Sequence, residues 1–335
     1  MPSVQANGIN IAYRDEGRGP VLLLCHGWPE LGHSWRRQVP ALVAAGYRVI
    51  VPDMRGFGGT DAPAAVEDYT ILHLVGDMVG LLDALKIDSC VIVGHDWGAP
   101  VAWHAALMRP DRFRAVAGLA VPWSPRGDKG SLVGMARAQG LHRFYMVWFQ
   151  EPGVAEADLG ADPYETHRRL LVGASGPSAA AGKGWPLMIP EGKGLVETCP
   201  PVADLPDWLS EDDLRTYADT YRRTGYRGGL NWYRNLDRNW ALTAPWHGAK
   251  IIVPACFIAG SHDAVLRMPG MDKALHAMDG VTCTDFRGTT IVPGAGHWVQ
   301  QEAPEAVNAA LVAFLGGLAD AGSTGPSVCT GQDGP

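Results

Sequence analysis

The chain has 335 residues, enough for one large domain with an insertion or for two small domains. Its composition, 47% hydrophobic and 19% charged, is typical of globular proteins, and a net charge of −7 without a Lys/Arg run argues against nucleic acid or an anionic membrane as a partner. No apolar stretch reaches the length of a membrane span, and the N-terminus lacks a secretory signal pattern. We therefore expect a cytoplasmic protein without a membrane span.

Strand-like and helical segments alternate at the start of the chain. Residues 9–14, 21–25 and 48–52 have the composition of strands. Residues 69–85 carry apolar side chains at helical spacing, and the β-branched run 91–93 follows. The alternation of strand, helix and strand predicts a parallel sheet.

The stretch VIVGHDWGA, residues 91–99, predicts a tight corner between a strand and a helix. Gly94, Gly98 and Ala99 place small residues on both sides of Asp96. A simple helix N-cap would explain the aspartate but would not need these small neighbours. The stretch resembles the nucleophile elbow of the α/β-hydrolase fold, with Asp96 where serine is usual.

The alternation is interrupted after a strand-like segment at 113–121. Residues 122–245 contain helical patches, many aromatic side chains and a Gly/Ala/Ser-rich stretch, 173–184, that is typical of a flexible loop. The strand pattern resumes at 250–260. An insertion into one sheet explains this better than two tandem domains, because neither flanking half completes the fold.

The predicted fold is therefore an α/β-hydrolase fold, a mostly parallel sheet flanked by helices, with an inserted, mainly helical cap. A final helix begins near Pro304, and the sequence from Ala319 is small, polar and rich in turn formers. The predicted domains are a core of residues 1–121 and 246–318, a cap of residues 122–245, and a disordered tail of residues 319–335.

Two residues after the insertion complete a candidate catalytic set. Asp263 follows the strand at 250–260, and His297 lies in a glycine-rich turn. Asp263 has an alternative role as a helix cap, and His297, one of eleven histidines, has an alternative structural role. The order Asp96, Asp263, His297 is nonetheless that of nucleophile, orienting acid and base in an α/β hydrolase.

An aspartate nucleophile indicates attack on a saturated carbon. Attack by serine would form an ether at that carbon, whereas attack by a carboxylate forms an ester. Water activated by His297 can cleave that ester. Epoxides and alkyl halides are the candidate substrates. A halide leaves as a stable anion, but an opening epoxide forms a basic alkoxide that a tyrosine, with an ordinary pKa of about 10, can protonate.

Aromatic residues in the insertion supply candidates for that role. Tyr145 and Tyr233 lie in it, although two of nine tyrosines are by themselves better explained as packing residues. An apolar, aromatic-lined pocket is indicated by Trp28, Trp97, Trp148, Phe149 and Trp232.

Six stretches together resemble the epoxide hydrolases of the α/β-hydrolase superfamily, and are similar to the hydrolase domain of soluble epoxide hydrolases. They are HGWPELGHSWRRQ, GYRVIVPDMRGFGGTDAP, GHDWGAPVAW, WFQEPGVAEADL, GLNWYRNLDRNW and GHWVQQEAP. The resemblance spans roughly residues 5–318. It departs from the family pattern at Met146 and Trp148, next to the first cap tyrosine, and we expect no N-terminal phosphatase domain of the kind that the vertebrate enzymes carry.

The resemblance implies a role for each candidate residue. Tyr145 and Tyr233 would donate to the epoxide oxygen, and the backbone N–H groups of Trp28 and Trp97 would form an oxyanion hole. A cis peptide would precede Pro29. Alternatively, the HGWP motif has a purely structural role and only forms a turn.

The sequence thus predicts a cofactor-independent epoxide hydrolase that converts lipophilic epoxides and water into vicinal diols through an Asp96 ester. One alternative is a haloalkane dehalogenase, although those enzymes typically carry Asn in place of Trp28 and lack the tyrosine pair. Another is a ligand-binding protein that has lost its chemistry. The six separated cysteines indicate neither a disulfide framework nor a zinc site, and no other metal is expected. A homodimer is compatible with the sequence, which does not fix the oligomeric state.

Overall fold

One eight-stranded sheet forms the centre of the protein. The computed structural model describes the backbone of residues 1–322 and the side chains of residues 1–318. The strands are β1 (Ser3–Ala6), β2 (Ile9–Gly17), β3 (Val21–Cys25), β4 (Arg48–Pro52), β5 (Cys90–His95), β6 (Phe113–Leu119), β7 (Ala255–Gly260) and β8 (Phe286–Val292). Their order in the sheet is β1-β2-β4-β3-β5-β6-β7-β8. β2 pairs antiparallel with both β1 and β4, and every other neighbouring pair is parallel.

The central strands are apolar along their whole length because both faces of the sheet are covered. In β3, Leu23 and Cys25 pack into the core on one face, while Leu22 and Leu24 pack into the core on the other. The parallel strands all end at the same edge, so the loops that follow them meet there.

Fifteen α-helices lie within the described residues. They are α1 (Gln38–Ala44), α2 (Ile71–Ala84), α3 (Gly98–Met108), α4 (Leu132–Ala138), α5 (Tyr145–Trp148), α6 (Val154–Gly160), α7 (Pro163–Gly173), α8 (Gly176–Ala180), α9 (Leu195–Thr198), α10 (Glu211–Thr224), α11 (Arg227–Arg234), α12 (Leu236–Leu242), α13 (Met271–Ala277), α14 (Val299–Glu302) and α15 (Pro304–Gly322). Short 3₁₀ helices occur at Gly32–Trp35, Val66–Tyr69, Ala244–Trp246 and Val265–Arg267. No described helix is long and apolar enough to cross a membrane.

Helices α4 to α12 all lie between β6 and β7, which are neighbours in the sheet. The chain therefore leaves the sheet after β6 and returns to the adjacent position. This confirms the predicted fold, a mostly parallel sheet with helices and an inserted helical segment. We refer to residues 122–245 as the insert.

The first part of the Gly/Ala/Ser-rich stretch 173–184 is not the loop that the sequence predicts, whereas residues 181–184 lie outside any helix. It contains helix α8, and Ser175 just before that helix is buried. A Cβ atom at Gly176 would overlap the backbone of Gly294. The small residues here permit close packing of two backbones, so the expectation of a loop is wrong for residues 173–180.

The C-terminal boundary also differs from the prediction. Helix α15 continues to Gly322, so the first residues of the expected tail, 319–322, are helical. The rest of the expected tail, residues 323–335, lies outside the described residues. The strand expected over 250–260 begins only at Ala255, because Pro254 directly precedes it and provides no backbone N–H.

Candidate active site

Asp96 lies at a strained corner between β5 and α3. Its φ of 49° is in the left-handed region, which non-glycine residues seldom adopt. A Cβ atom at Gly94 would overlap the backbone of Gly98, and one at Gly98 would overlap the backbone of Cys25. The small residues are required because the corner brings these backbones together. Asp96 therefore sits at the carboxyl edge of the sheet, in front of the N-terminus of α3.

Each oxygen of the Asp96 carboxylate faces a different group. The Trp28 N–H donates to Oδ1 over 2.7 Å, and His297 Nε2 lies 3.3 Å from Oδ2. The Trp97 N–H, at the start of α3, has no acceptor among the described residues. One predicted oxyanion donor thus contacts Asp96 directly, and the other is a free N–H adjoining it. The peptide bond between Trp28 and Pro29 is cis, as the resemblance implies.

His297 connects Asp96 to Asp263. His297 Nδ1 lies 3.1 Å from both carboxylate oxygens of Asp263, and Asp263 Oδ1 also accepts from the Val265 N–H over 2.9 Å. Both side chains are buried. Because Asp263 accepts from Nδ1, the opposite ring nitrogen, Nε2, is directed at Asp96.

Asp96 and His297 shift each other's pKa. Burial raises the pKa of Asp96, but the hydrogen bond and charge of His297, helped by the Trp28 N–H, lower it below its ordinary value. Burial lowers the pKa of His297, but the charges and hydrogen bonds of Asp263 and Asp96 raise it well above its ordinary value. Both shifts favour an ionised carboxylate beside an imidazolium.

Tyr145 on α5 and Tyr233 on α11 come together, with their ring centroids 6.1 Å apart. The Tyr233 ring packs edge-on against Trp28 at 5.7 Å and against Trp97 at 5.1 Å. Burial, and after it the negative charge of Asp96, raises the pKa of both tyrosines well above 10.0. Both hydroxyls therefore keep their protons at neutral pH.

The other predicted pocket residues surround this pair to different extents. Phe149 is buried, with its ring 5.0 Å from that of Tyr233. Trp232 packs on Trp97 at 5.8 Å but donates its indole N–H to the Arg55 carbonyl. Trp148 is half-buried behind Phe149, at 5.8 Å. Phe149 thus lies next to the tyrosines, whereas Trp148 and Trp232 form an outer layer.

The sequence did not identify Trp185, whose ring lies 5.1 Å from that of Tyr145 and 6.2 Å from that of Trp28. Its position just after the expected flexible stretch gave no signal that it would reach the tyrosines.

The sequence also did not single out Glu30 and His95, although both lie inside the quoted motifs. Glu30 is fully buried, and its Oε2 lies 2.7 Å from His95 Nδ1. His95 Nε2 in turn lies 2.7 Å from the His297 carbonyl oxygen. Glu30 Oε1 accepts from the side chains of Gln300 and Gln301. This network joins the HGWPE loop, the elbow and the loop of His297.

Glu302 holds the backbone on both sides of His297. Its carboxylate accepts from the N–H groups of Gly296 and Trp298, each over 3.0 Å, and from that of Gly176 over 2.8 Å. Burial raises the pKa of Glu302, partly offset by these three donors. The sequence offered only an acidic residue near the start of a helix, which gave no indication of this role.

Within the described part of the chain, no group of three or more His, Cys, Asp or Glu side chains could hold a metal ion. The five cysteines described there are buried and free.

The sheet order, the strained elbow and the linked Asp96, His297 and Asp263 side chains define an α/β hydrolase. Residues 20–155 match a family model described as alpha/beta hydrolase fold. The chain is 44% identical to "Epoxide hydrolase A" of Mycobacterium tuberculosis, covering 94% of this chain and 97% of that protein. It is 42% identical to "Epoxide hydrolase 2" of Siraitia grosvenorii, covering 93% and 97%.

Solved structures agree with these relatives. Epoxide hydrolase A from Mycobacterium thermoresistibile matches with a TM-score of 0.86 and 45% identity, over 94% of this chain and 98% of that one. An epoxide hydrolase from an endophytic Streptomyces matches with a TM-score of 0.89 and 40% identity, over 95% and 96%. The chain belongs to the epoxide hydrolase family, and its activity is that of an epoxide hydrolase.

Proposed function

We propose that Asp96 is the nucleophile of a two-step hydrolysis that converts an epoxide into a vicinal diol through a covalent ester. The observation that carries this proposal is the placement of the Asp96 carboxylate. One oxygen is held by the Trp28 N–H at 2.7 Å, and the other faces His297 Nε2 at 3.3 Å. In this proposal the first oxygen becomes the ester carbonyl oxygen and the second attacks carbon.

In the first step Asp96 Oδ2 forms a bond to an epoxide carbon while the bond from that carbon to the ring oxygen breaks. The electron pair goes to the ring oxygen, which takes a proton from Tyr145 or Tyr233. Their raised pKa keeps the tyrosines protonated until the alkoxide forms. The alkoxide is a stronger base than either phenolate and takes the proton.

In the second step water attacks the ester carbonyl carbon. Esterification removes the negative charge of Asp96, and that charge is one of the causes that raise the pKa of His297 in the free enzyme. The imidazolium can then release its proton to the phenolate and act as the base that deprotonates water. The Trp28 and Trp97 N–H groups bind the charge that develops on the carbonyl oxygen, and the diol leaves as its ester oxygen is protonated by His297.

The insert serves in this proposal as a cap domain over a core of residues 1–121 and 246–318. It contributes Tyr145 and Tyr233, whereas Asp96, Asp263 and His297 come from the core. Trp28, Trp97, Phe149 and Trp185 crowd around the tyrosine pair, which supports lipophilic epoxides as the substrate class.

The tyrosine pair distinguishes this function from dehalogenation. Tyr145→Phe combined with Tyr233→Phe should lower kcat/KM for epoxides by at least about 10³-fold, because the alkoxide then has no acid beside it. A panel of aryl, terminal and fatty-acid epoxides, assayed alongside alkyl halides, measures this. Tyr164→Phe, which removes an exposed hydroxyl of the insert, is the matched control.

Halide release that survives the double substitution, with no epoxide turnover in the wild type, would instead support a dehalogenase. Binding of epoxides without diol formation would support a ligand-binding protein.

A further inference from the structure

The loop that carries the proposed oxyanion donor Trp28 is held by two side chains of the insert. We call residues 27–30 the oxyanion loop. The Tyr221 hydroxyl on α10 donates to the Glu30 carbonyl oxygen over 3.2 Å, and His167 Nε2 on α7 lies 3.3 Å from the Pro29 carbonyl oxygen. Among the described residues, these two side chains are the only hydrogen-bond partners of those carbonyls.

All the groups in these contacts are buried. Tyr221 is 3% exposed, and His167 and Glu30 are fully buried. Water therefore cannot replace either partner without entering the protein, and a buried carbonyl that loses its donor is strongly disfavoured. The contacts hold the oxyanion loop from the side of the insert, while Glu30 and its network hold it from the side of the sheet.

Aromatic packing fixes both side chains in place. The His167 ring lies 4.6 Å from Tyr221 and stacks on Tyr217 at 5.7 Å with an interplanar angle of 8°. Burial lowers the pKa of His167 to about 4, so the neutral ring carries one N–H. His167 Nδ1 lies 2.8 Å from the Pro163 carbonyl, which competes with Pro29 for that proton. The Tyr221 contact has no such competitor.

We infer that Tyr221, assisted by His167, is a positioning residue for ester hydrolysis that acts through the Trp28 N–H. The inference rests on the proposed function, since it requires Trp28 to be an oxyanion donor. Glu30 is two residues from Trp28, so a shift of its carbonyl is transmitted through Pro29 to the N–H at Asp96 Oδ1. The helices α7 and α10 thus form a fixed support for the catalytic loop.

The two chemical steps should respond differently to loss of this support. Negative charge develops on Asp96 Oδ1 during ester hydrolysis, and a misplaced N–H then stabilises it less. The carboxylate loses charge during ester formation, so a weaker donor does not slow that step. A purely structural role of Tyr221 would affect both steps alike.

The test is a single-turnover comparison of Tyr221→Phe with the wild type. Rapid mixing with a styrene-type epoxide, acid quenching and intact-protein mass spectrometry follow formation and decay of the ester. We expect ester hydrolysis to slow about tenfold, less than the 10²- to 10³-fold typical for complete removal of an oxyanion donor, with ester formation within about twofold. Tyr164→Phe should match the wild type in both steps, because its hydroxyl contacts only Glu211 on the surface.

Equal slowing of both steps, or no change in either, would overturn the inference. His167→Phe keeps an aromatic ring in the stack and removes both ring nitrogens, so a slower hydrolysis step in that variant would support it independently. A wild-type enzyme that turns over epoxide without forming an ester would refute the proposed function itself. A wild type that forms the ester, with both variants identical to it, would refute only this inference.

Discussion

In the proposed mechanism, the charged pair of Asp96 and His297 explains how one histidine can serve both steps. The shifts in the two pKa values favour an ionised pair in the free enzyme, because each partner stabilises the charged form of the other. An imidazolium is not a base, so in the proposed mechanism His297 would act as a base only after Asp96 has become a neutral ester. On that proposal, the electrostatics of the site set the order of the two steps.

This account predicts that Asp96→Asn lowers the pKa of His297. The substitution removes a negative charge 3.3 Å from Nε2, as esterification does, and leaves Asp263 in place. NMR titration of the imidazole resonances, with the His297 signal identified by its loss in His297→Gln, measures the shift. Asp128→Asn removes an exposed carboxylate beside His247 and should leave His297 unchanged. An unaltered His297 pKa in Asp96→Asn would mean that the two side chains are not coupled.

The residues of the site differed in how readily the sequence revealed them. The corner at Asp96 could be predicted because the strained φ demands small neighbours that are visible in the sequence, and the contacts of His297 with Asp96 and Asp263 were expected from the order of the three residues. Glu30, His95 and Trp185 could not, because their roles depend on contacts with residues distant in sequence. A buried glutamate that joins three loops looks, in sequence, like any acidic residue of a turn.

At the scale of elements, carboxylates anchor the loops after two of the parallel strands, with the fully buried Glu30 after β3 and the partly buried Glu302 beside the loop after β8. Glu302 at the end of α14 accepts three backbone N–H groups and fixes the loop of His297. One of these N–H groups, from Gly176, belongs to the insert, so the same carboxylate attaches α8 to the core. This contact explains why the stretch expected to be flexible is packed.

Glu302→Gln should destabilise the protein and impair catalysis together. A glutamine has one acceptor oxygen where the carboxylate has two, so at least one of these partly buried N–H groups loses its partner, at a cost of about 1–3 kcal/mol. The urea midpoint should fall at an unchanged m-value, and kcat should fall because the backbone flanking His297 is less constrained. Glu305→Gln, an exposed change in the next helix, serves as the control. A Glu302→Gln variant that is as stable as the wild type would contradict this role.

Elements with strong apolar patterns could be predicted, and those at the margins of the sheet could not. β3, β4 and β5 are buried on both faces and stand out as aliphatic runs. β8 is an edge strand whose residues from Arg287 to Ile291 are exposed, so it has little apolar signal. The short β1 owes its conformation to pairing with β2, which is a tertiary effect.

At the scale of the whole molecule, the insert is joined to the core by polar contacts as well as by aromatic packing. Asp213 on α10 lies 2.6 Å from His33 Nε2 and 2.7 Å from Arg36 Nε, both in the segment that follows the oxyanion loop. Burial opposes ionisation of Asp213, but hydrogen bonds from His33 and Ser210 and the charge of Arg36 hold its pKa well below 3.8. Helix α10 therefore contacts the core both at this ion pair and at Glu30.

Asp213→Asn should lower the free energy of unfolding by about 1–3 kcal/mol at pH 7. Since the pKa of Asp213 is lower in the folded state, its contribution to the free energy of unfolding is present above pH 3.8 and is lost as the pH falls further. The difference between wild type and variant should therefore shrink below about pH 4 in denaturation measured across pH. Asp219→Asn, in an exposed pair on the same helix, should have little effect. A difference that is constant across pH would rule out this ion pair as the cause.

The division into sheet and insert could be inferred because the strand pattern stops and resumes. The way the insert contacts the core could not, because Tyr221, His167 and Asp213 have no sequence signature of their partners.

The most direct test of the central claim, a covalent Asp96 ester, is a single turnover in ¹⁸O water with enzyme in excess over epoxide. Hydrolysis of the ester at its carbonyl carbon places the solvent oxygen in the Asp96 carboxylate, so the peptide that contains Asp96 should gain ¹⁸O and the first diol should contain none. Mass spectrometry of the peptide and of the diol measures the ¹⁸O content of each. Solvent oxygen in the diol of that first turnover, with an unlabelled Asp96 peptide, would show direct attack of water on the epoxide and would contradict the account.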